Sequence, residues 1–308
     1  MCICYNRNRM NGIPETLRRH LESVLRGQGD PGPLRSVRPL GGGCINNAMR
    51  VETDAGVYLL KWNPDPLPGM FAAEARGLQL LAETGTVHVP AVYAFSEPQD
   101  GLPAMILLEW LEGPPNIQSM ARLGEKLAEL HRSGRSPNAA YGLDRDNYLG
   151  STPQVNGWET DWPRFFARCR LVPQMELARR NGRLTPARAR LLERLIGRLD
   201  ALLGGVERRP ALIHGDLWGG NVIPGPDGLA LIDPAVSYSD REAEIAYTHL
   251  FGGFTREFYQ AYRATWPLEP GFEDRIDLYN LYHLLNHLNL FGEGYGADVD
   301  RVLRRYAG

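Results

Sequence analysis

The chain has 308 residues, 43% of them hydrophobic and 23% charged, with a formal net charge of −2. That length allows one large or two modest domains with a sizeable core. The balanced charge gives no basic footprint for nucleic acid, no apolar run is long enough to span a bilayer, and the N-terminal MCICYNRNRM has no apolar signal-peptide core, so a cytoplasmic protein is expected.

Cys2, Cys4, Cys44 and Cys169 are too few and too scattered for a disulfide scaffold or a zinc site. Residues 1–11 read as an unstructured leader, with Met10 an alternative start. Ile13, Leu17, Leu21, Val24 and Leu25 then share one helical face, and Gly27 stops that helix. From 34 to 62 the character changes. LRSVRPL, CINNAMRVET and VYLLKW read as three strands, joined by Gly41-Gly42-Gly43 and by Asp54-Ala55-Gly56. The glycine run matches neither the Walker pattern nor the dinucleotide fingerprint. A glycine-rich turn between antiparallel strands can still lie over phosphates, because its amides approach without Cβ obstruction.

Lys61 sits in an otherwise apolar strand and needs a partner if it faces inward. Glu74, near the start of the helix FAAEARGLQLLAE, is placed to be that partner, the arrangement seen in kinase-like amino lobes. AVYAFSE and PAMILLEWLEG read as two more strands. The second runs into Gly113-Pro114-Pro115, the expected shape of a hinge, where the backbone of Glu109, Trp110 and Leu111 could meet adenine. Strands then give way to helices. SMARLGEKLAELHRSG is amphipathic, with His131 expected to be packed. Trp158, Trp162, Phe165 and Phe166 are expected first as core and second as a substrate wall. Residues 185–204 read as one helix opened by Thr185-Pro186.

The segment Leu212–Ala235 carries the chemistry. Two short apolar runs, Ala211–Ile213 and Leu229–Ile232, flank a polar loop with the pattern H-x-D-x4-N, made by His214, Asp216 and Asn221; Asp233 follows the second run. Phosphoryl transfer from ATP needs one carboxylate to orient the hydroxyl and accept its proton. It also needs a second carboxylate and an amide oxygen to hold magnesium, which prefers oxygen ligands. Asp216 fits the first task; Asn221 and Asp233 fit the second. The protein-kinase set has the same Asp-to-Asn spacing, but Pro234-Ala235 stands where it has Phe-Gly. The remaining residues read as helices, with His283, Asn286 and His287 among the apolar positions of the last long one.

GGGCINNA, LLKW with EARGL, LLEWLEG, TPQVNGW, DWPRFFARCRL, HGDLWGGN, LIDPA, FGGF and LLNHLNLFG together resemble the fructosamine kinase (ketosamine-3-kinase) family. The likeness runs from about residue 13 to residue 300. It implies a two-lobe, protein-kinase-like α+β fold, with a leader at 1–11, an ATP-binding lobe at 12–112 and a helical catalytic lobe at 113–308. It implies ATP and Mg2+ as cofactors, and ketosamines, free or on protein lysines, as substrates phosphorylated at the 3-hydroxyl. Asp216 would be the base, Asn221 and Asp233 the metal ligands, and Lys61 with Glu74 the partners of the α/β-phosphates. Gly41, Gly42, Gly43 and Cys44 would cover the phosphates, and Glu109–Leu111 would meet adenine. Trp218 would stack on the sugar, with His214, His287 and Asn286 also assigned to the substrate side. Some relatives carry a cysteine at the Cys44 position linked to redox-controlled dimers, so a monomer able to form a Cys44-joined dimer is the expectation. A kinase of another small alcohol or aminoglycoside, a non-catalytic nucleotide-binding module and a protein kinase remain as alternatives. The last lacks its A-P-E element here.

Overall fold

The computed structural model describes residues 12–41, 45–114 and 119–308. The leader and Gly42, Gly43 and Cys44 of the glycine turn lie outside the described residues.

The fold is α+β. Five strands, β1 (Ser36–Pro39), β2 (Asn47–Glu52), β3 (Val57–Asn63), β4 (Val92–Ser96) and β5 (Ala104–Glu109), form one antiparallel sheet in the order β1-β2-β3-β5-β4. Alternation along β5 divides its side chains between two cores. Met105 and Leu107 face α1 (Glu15–Gly27), whose Leu17, Leu21 and Leu25 are fully buried there. Ala104, Ile106 and Leu108 join Phe71, Ala75 and Leu78 of α2 (Met70–Glu83) in the main core of the molecule. A strand buried on both faces reads as an unbroken apolar run, which is the pattern of AMILL.

After β5 the chain becomes mainly helical. α3 (Ser119–Ser133) leads to a small hairpin, β6 (Asn147–Leu149) and β7 (Thr152–Gln154). α4 (Trp162–Phe165) continues through a wide π-turn at Phe166–Leu171 into α5 (Val172–Arg180). Trp162, Phe165 and Phe166 are core, and Trp158 stacks on Tyr238 at 6.1 Å. The stretch 185–204 is two helices, not one. α6 (Pro186–Ile196) has its Thr185 cap accepting from the Arg188 amide at 3.2 Å, and it ends at Gly197, before α7 (Leu199–Leu203).

The two apolar runs flanking the polar loop do not pair with each other. β8 (Ala211–Ile213) pairs with β11 (Ser237–Ser239), while β9 (Val222–Gly225) and β10 (Gly228–Leu231) form their own hairpin. The loop after β8 and the end of β10 are thus held side by side by two separate pairings. α8 (Arg241–Thr248), α9 (Arg256–Thr265), α10 (Phe272–Phe291) and α11 (Gly296–Ala307) complete the chain. No helix among the described residues is long and apolar enough to cross a membrane.

Candidate active site

The polar loop is fixed from below. Glu244 of α8 is buried and accepts the amide hydrogens of His214 (3.1 Å) and Gly215 (2.7 Å), while His131 of α3 lies 2.9 Å from the same carboxylate. Burial pushes the Glu244 carboxyl up, but His131 and these donors leave it below the ordinary range. His131 is therefore a buried partner in this anchor, bonded also to Tyr262 at 2.8 Å. His214 ties the two halves of the site together. Its Nε2 donates to the Ile232 carbonyl at 2.9 Å, its Nδ1 accepts from the Asp216 amide at 3.3 Å, and its carbonyl accepts from Ala235 at 2.8 Å. The side chain is fully buried with both nitrogens engaged, which corrects its assignment to the substrate side. Gly215 has φ of +84°, and a Cβ there would fall 2.0 Å from the Ala235 carbonyl, so only glycine fits.

Asp216 emerges from this anchor with each oxygen held by a different donor. Tyr247 of α8 donates its hydroxyl to Oδ1 at 3.1 Å, and Asn221 donates Nδ2 to Oδ2 at 3.2 Å and to the Asp216 carbonyl at 2.8 Å. Burial pushes Asp216 up to about 7, aided by the charges of Asp233 and Glu244 and opposed by the two hydrogen bonds. Tyr247 is a site residue that sequence reasoning missed; its place in an amphipathic helix gave no separate signal. Its ring lies flat on His283 of α10, with centroids 3.5 Å apart at 11°.

Asp233 stands at φ +57°, a left-handed conformation costly for a non-glycine residue. The backbone that follows is pinned: Gln154 donates to the Ala235 carbonyl at 3.1 Å and Asn147 to the Val236 carbonyl at 2.8 Å. Gln154, Asn156 and Asn147 interlock, and buried Arg170 donates to Asn156 at 3.0 Å and Ser237 at 3.0 Å. The TPQVN segment thus acts on the Asp233 turn, an outcome its sequence did not announce.

Lys61 of β3 meets Glu74 of α2 at 2.6 Å and also contacts Asp233 Oδ1. Burial works against its charge, but Asp233 and Glu74 raise its pKa above the ordinary lysine value. Glu74, largely buried, is raised in turn by desolvation, with Lys61 opposing. One ammonium therefore joins the sheet, α2 and the end of β10. At the β5 exit the Glu109 amide is taken by the Ala91 carbonyl at 2.9 Å and its side chain by the Ala91 amide at 3.1 Å. The Trp110 indole bonds Glu112 under the guanidinium of Arg50, whereas the backbone amides of Trp110 and Leu111 have no backbone partner among the described residues. Gly41 is exposed with open space where a Cβ would stand.

Trp218 is 41% exposed, its indole over the backbone of Gly220, so it is no core tryptophan. His287 lies at the surface end of α10, its Nδ1 on the His283 carbonyl at 2.8 Å. Asn286 points the other way. It is buried and accepts from Gln174 at 3.2 Å, because successive residues on a helix face different directions; it lines packing, not the cleft.

A fructosamine kinase family model matches residues 19–307. The chain belongs to the fructosamine kinase family. It is 40% identical over 286 residues to the protein named probable ketoamine kinase of Synechocystis sp., covering 92% of this chain and 94% of that one. It is also 40% identical over 282 residues to a chloroplastic protein-ribulosamine 3-kinase of Oryza sativa, covering 91% and 81%. Crystal structures provisionally assigned as fructosamine-3-kinases superpose closely. One from Haemophilus somnus gives a TM-score of 0.84 at 31% identity, covering 94% of this chain and 97% of that one. One from Thermobifida fusca gives 0.83 at 32%, covering 95% and 98%. At 14% identity and a TM-score of 0.66, an aminoglycoside phosphotransferase crystallised with ADP and hygromycin B shares the fold, covering 95% and 99%. Fructosamine kinases are phosphotransferases, and kinase chemistry implies ATP.

Proposed function

We propose that this chain transfers the γ-phosphoryl group of ATP to the 3-hydroxyl of a ketosamine, with the 12–112 segment as ATP-binding lobe and the 113–308 segment as catalytic lobe. The observation that carries the mechanism is the convergence of the Asp216–Asn221 loop with Asp233, Lys61 and Glu74 in one cleft. The substrate class follows from the family and from relatives named for ketoamines and ribulosamine.

Asp216 orients the acceptor hydroxyl and takes its proton as the bond to phosphorus forms. Tyr247 and Asn221 hold the carboxylate at the angle this requires. Lys61, kept charged by Asp233 and Glu74, holds the α/β-phosphates, and the amide of Leu111, without a backbone partner among the described residues, receives adenine with the Glu109 carbonyl. Gly41 through Cys44 cover the phosphates. The donor set suits Mg2+. Asn221 spends its Nδ2 on Asp216, leaving Oδ1 without a protein partner among the described residues, and Asp233 offers its second oxygen. Two protein oxygens are the usual complement for magnesium held against phosphates, so Asn221 and Asp233 would hold the ion, which would supply charge neutralisation to the transferring group. Trp218 stacks on the sugar, and oxidation joins two chains through Cys44. A dimer that persists in Cys44→Ala on non-reducing electrophoresis after peroxide would remove that last element.

The deciding experiment is ATP consumption by the purified protein with magnesium. The acceptors are fructosyl-lysine, ribulosyl-lysine, choline and an aminoglycoside, with Asp216→Ala as blank. Turnover confined to the ketosamines is expected. Turnover on choline or the aminoglycoside alone would replace the substrate while leaving the phosphoryl-transfer machinery in place.

A further inference from the structure

Among the described residues six large hydrophobic side chains are exposed; Trp218 (41%) follows the base by two residues, Phe251 (40%) lies just past the end of α8, and Phe291 (52%) ends α10. Single exposed apolar residues need no explanation, but a contiguous group does. Phe251 packs edge-on to Tyr247 at 6.0 Å, and Tyr247 bonds Asp216. His287 bridges onward, 4.8 Å from Phe251, 5.4 Å from Phe291 and 5.0 Å from Tyr295. The loop of Trp218 touches the loop of Phe251: a Cβ at Gly253 would lie 2.8 Å from the Gly219 Cα, so the two backbones meet where no side chain fits. Phe251, His287 and Phe291 therefore form one aromatic patch beside the Trp218 loop, and the buried Tyr247 beneath Phe251 connects it to the base.

Its electrostatics favour a cation. Aromatic faces attract ammonium groups. The α8 helix ends beside the patch and presents its negative pole, whereas the pole of α10 is already met by the Arg183 guanidinium. Burial holds the His287 imidazole below its ordinary pKa, so it is neutral and adds no repulsion. Arg183, beside Gly292, spends its Nη1 on the Leu288 carbonyl at 2.7 Å.

Resting on the ketosamine reading above, we infer that Phe251, His287 and Phe291 form the subsite for the amine side of the acceptor, binding its protonated nitrogen and the apolar stem attached to it. In a ketosamine the nitrogen stands only three bonds from the carbon bearing the reacting hydroxyl. With that hydroxyl at Asp216, the substituent leaves over a surface next to the base, and the aromatic patch is such a surface, reached through the touching loops of Trp218 and Phe251. An acceptor with a hydrocarbon stem gains contact there, whereas one with a carboxylate next to the nitrogen meets the C-terminus of α8 and loses it.

The test uses adducts of one sugar with three amines: an alkylamine of lysine length, benzylamine and glycine. Wild type is expected to favour the first two over the glycine adduct by about tenfold or more in kcat/KM, the scale of one good cation–aromatic contact. The Phe251→Ala/Phe291→Ala double variant is expected to bring that ratio within about threefold, with KM for ATP unchanged. An unchanged ratio in the double variant, or an equal loss on all three adducts, overturns the assignment. Calorimetric titration of benzylammonium and glycine into protein loaded with a non-hydrolysable ATP analogue separates the two readings. If wild type phosphorylates no ketosamine, the substrate reading falls. Benzylammonium binding that is lost in the double variant would still uphold the cation surface, and binding equal in both proteins, or absent from wild type, would end it.

Discussion

At the scale of single residues, Asp216 is costly to the free protein. Burial raises its pKa to about 7. A carboxyl raised in the folded state contributes stability below the ordinary carboxylate range and loses that contribution as pH rises through 7. Asp216→Asn is therefore expected to raise Tm at pH 8, at about 2–4 °C for each kcal/mol gained, and the gain should shrink as pH falls towards 4. Thermal scans across that range check it; a gain independent of pH would contradict the cause. The same variant is expected to lose about 10³-fold in turnover, the scale of a lost general base, while calorimetry shows nucleotide affinity within a few-fold of wild type. Tyr247→Phe keeps the ring on His283 and removes only the hydroxyl from Asp216. A hydrogen bond to a charged group predicts a kcat lower by about 10–100-fold with KM for ATP unchanged. A matching fall in Tm without the kinetic split would make Tyr247 a packing residue only.

At the scale of elements, the site depends on segments that hold one another's backbones. The β6–β7 hairpin supplies Asn147 and Gln154 to the carbonyls just beyond Asp233. These bonds support a residue in the left-handed region, so their loss should be felt at the proposed magnesium ligand Asp233. Asn147→Ala leaves a buried carbonyl unpaired and is expected to cost about 1–3 kcal/mol, read by denaturant titration. It should also weaken magnesium-dependent nucleotide binding more than magnesium-free binding, read by calorimetry. Equal weakening with and without magnesium would show that the hairpin does not act on Asp233.

At the scale of the whole molecule, Lys61 is the clasp. Its ammonium joins β3, α2 and the end of β10, so it couples the sheet to the helical half. Nucleotide with magnesium should stabilise the protein by mass action, about 2.7 kcal/mol at a hundred times Kd. Lys61→Met keeps the stem's volume and removes the charge. Its Tm shift with the same nucleotide is expected to be well below that of wild type in differential scanning fluorimetry. An undiminished shift would place the phosphates elsewhere.

The sequence by itself carried the strand-rich first third and, through its family motifs, the class of fold, and it set the spacing of His214, Asp216, Asn221 and Asp233 on which the proposed chemistry rests. These rest on short-range signals: apolar period, glycine turns, and donors of the right type a fixed number of residues apart. Lys61 and Glu74 were legible as a pair because a lysine in an otherwise apolar strand needs a partner and the following helix offers one, the arrangement of kinase-like amino lobes. The tertiary structure alone decided the rest. That β8 pairs with β11 and not with the run before Asp233 depends on competition between strands distant in the chain. That Tyr247 reaches Asp216, that Asn147 and Gln154 reach the carbonyls beyond Asp233, that His214 and Asn286 turn inward, and that Phe251 and Phe291 meet across His287 follow from packing. Side-chain direction is set by which faces are buried against one another, and a one-dimensional pattern carries that only where the period is clean. On α10 nearly every position is apolar or buried, so the period was lost, and only the fold could say which residues turn inward.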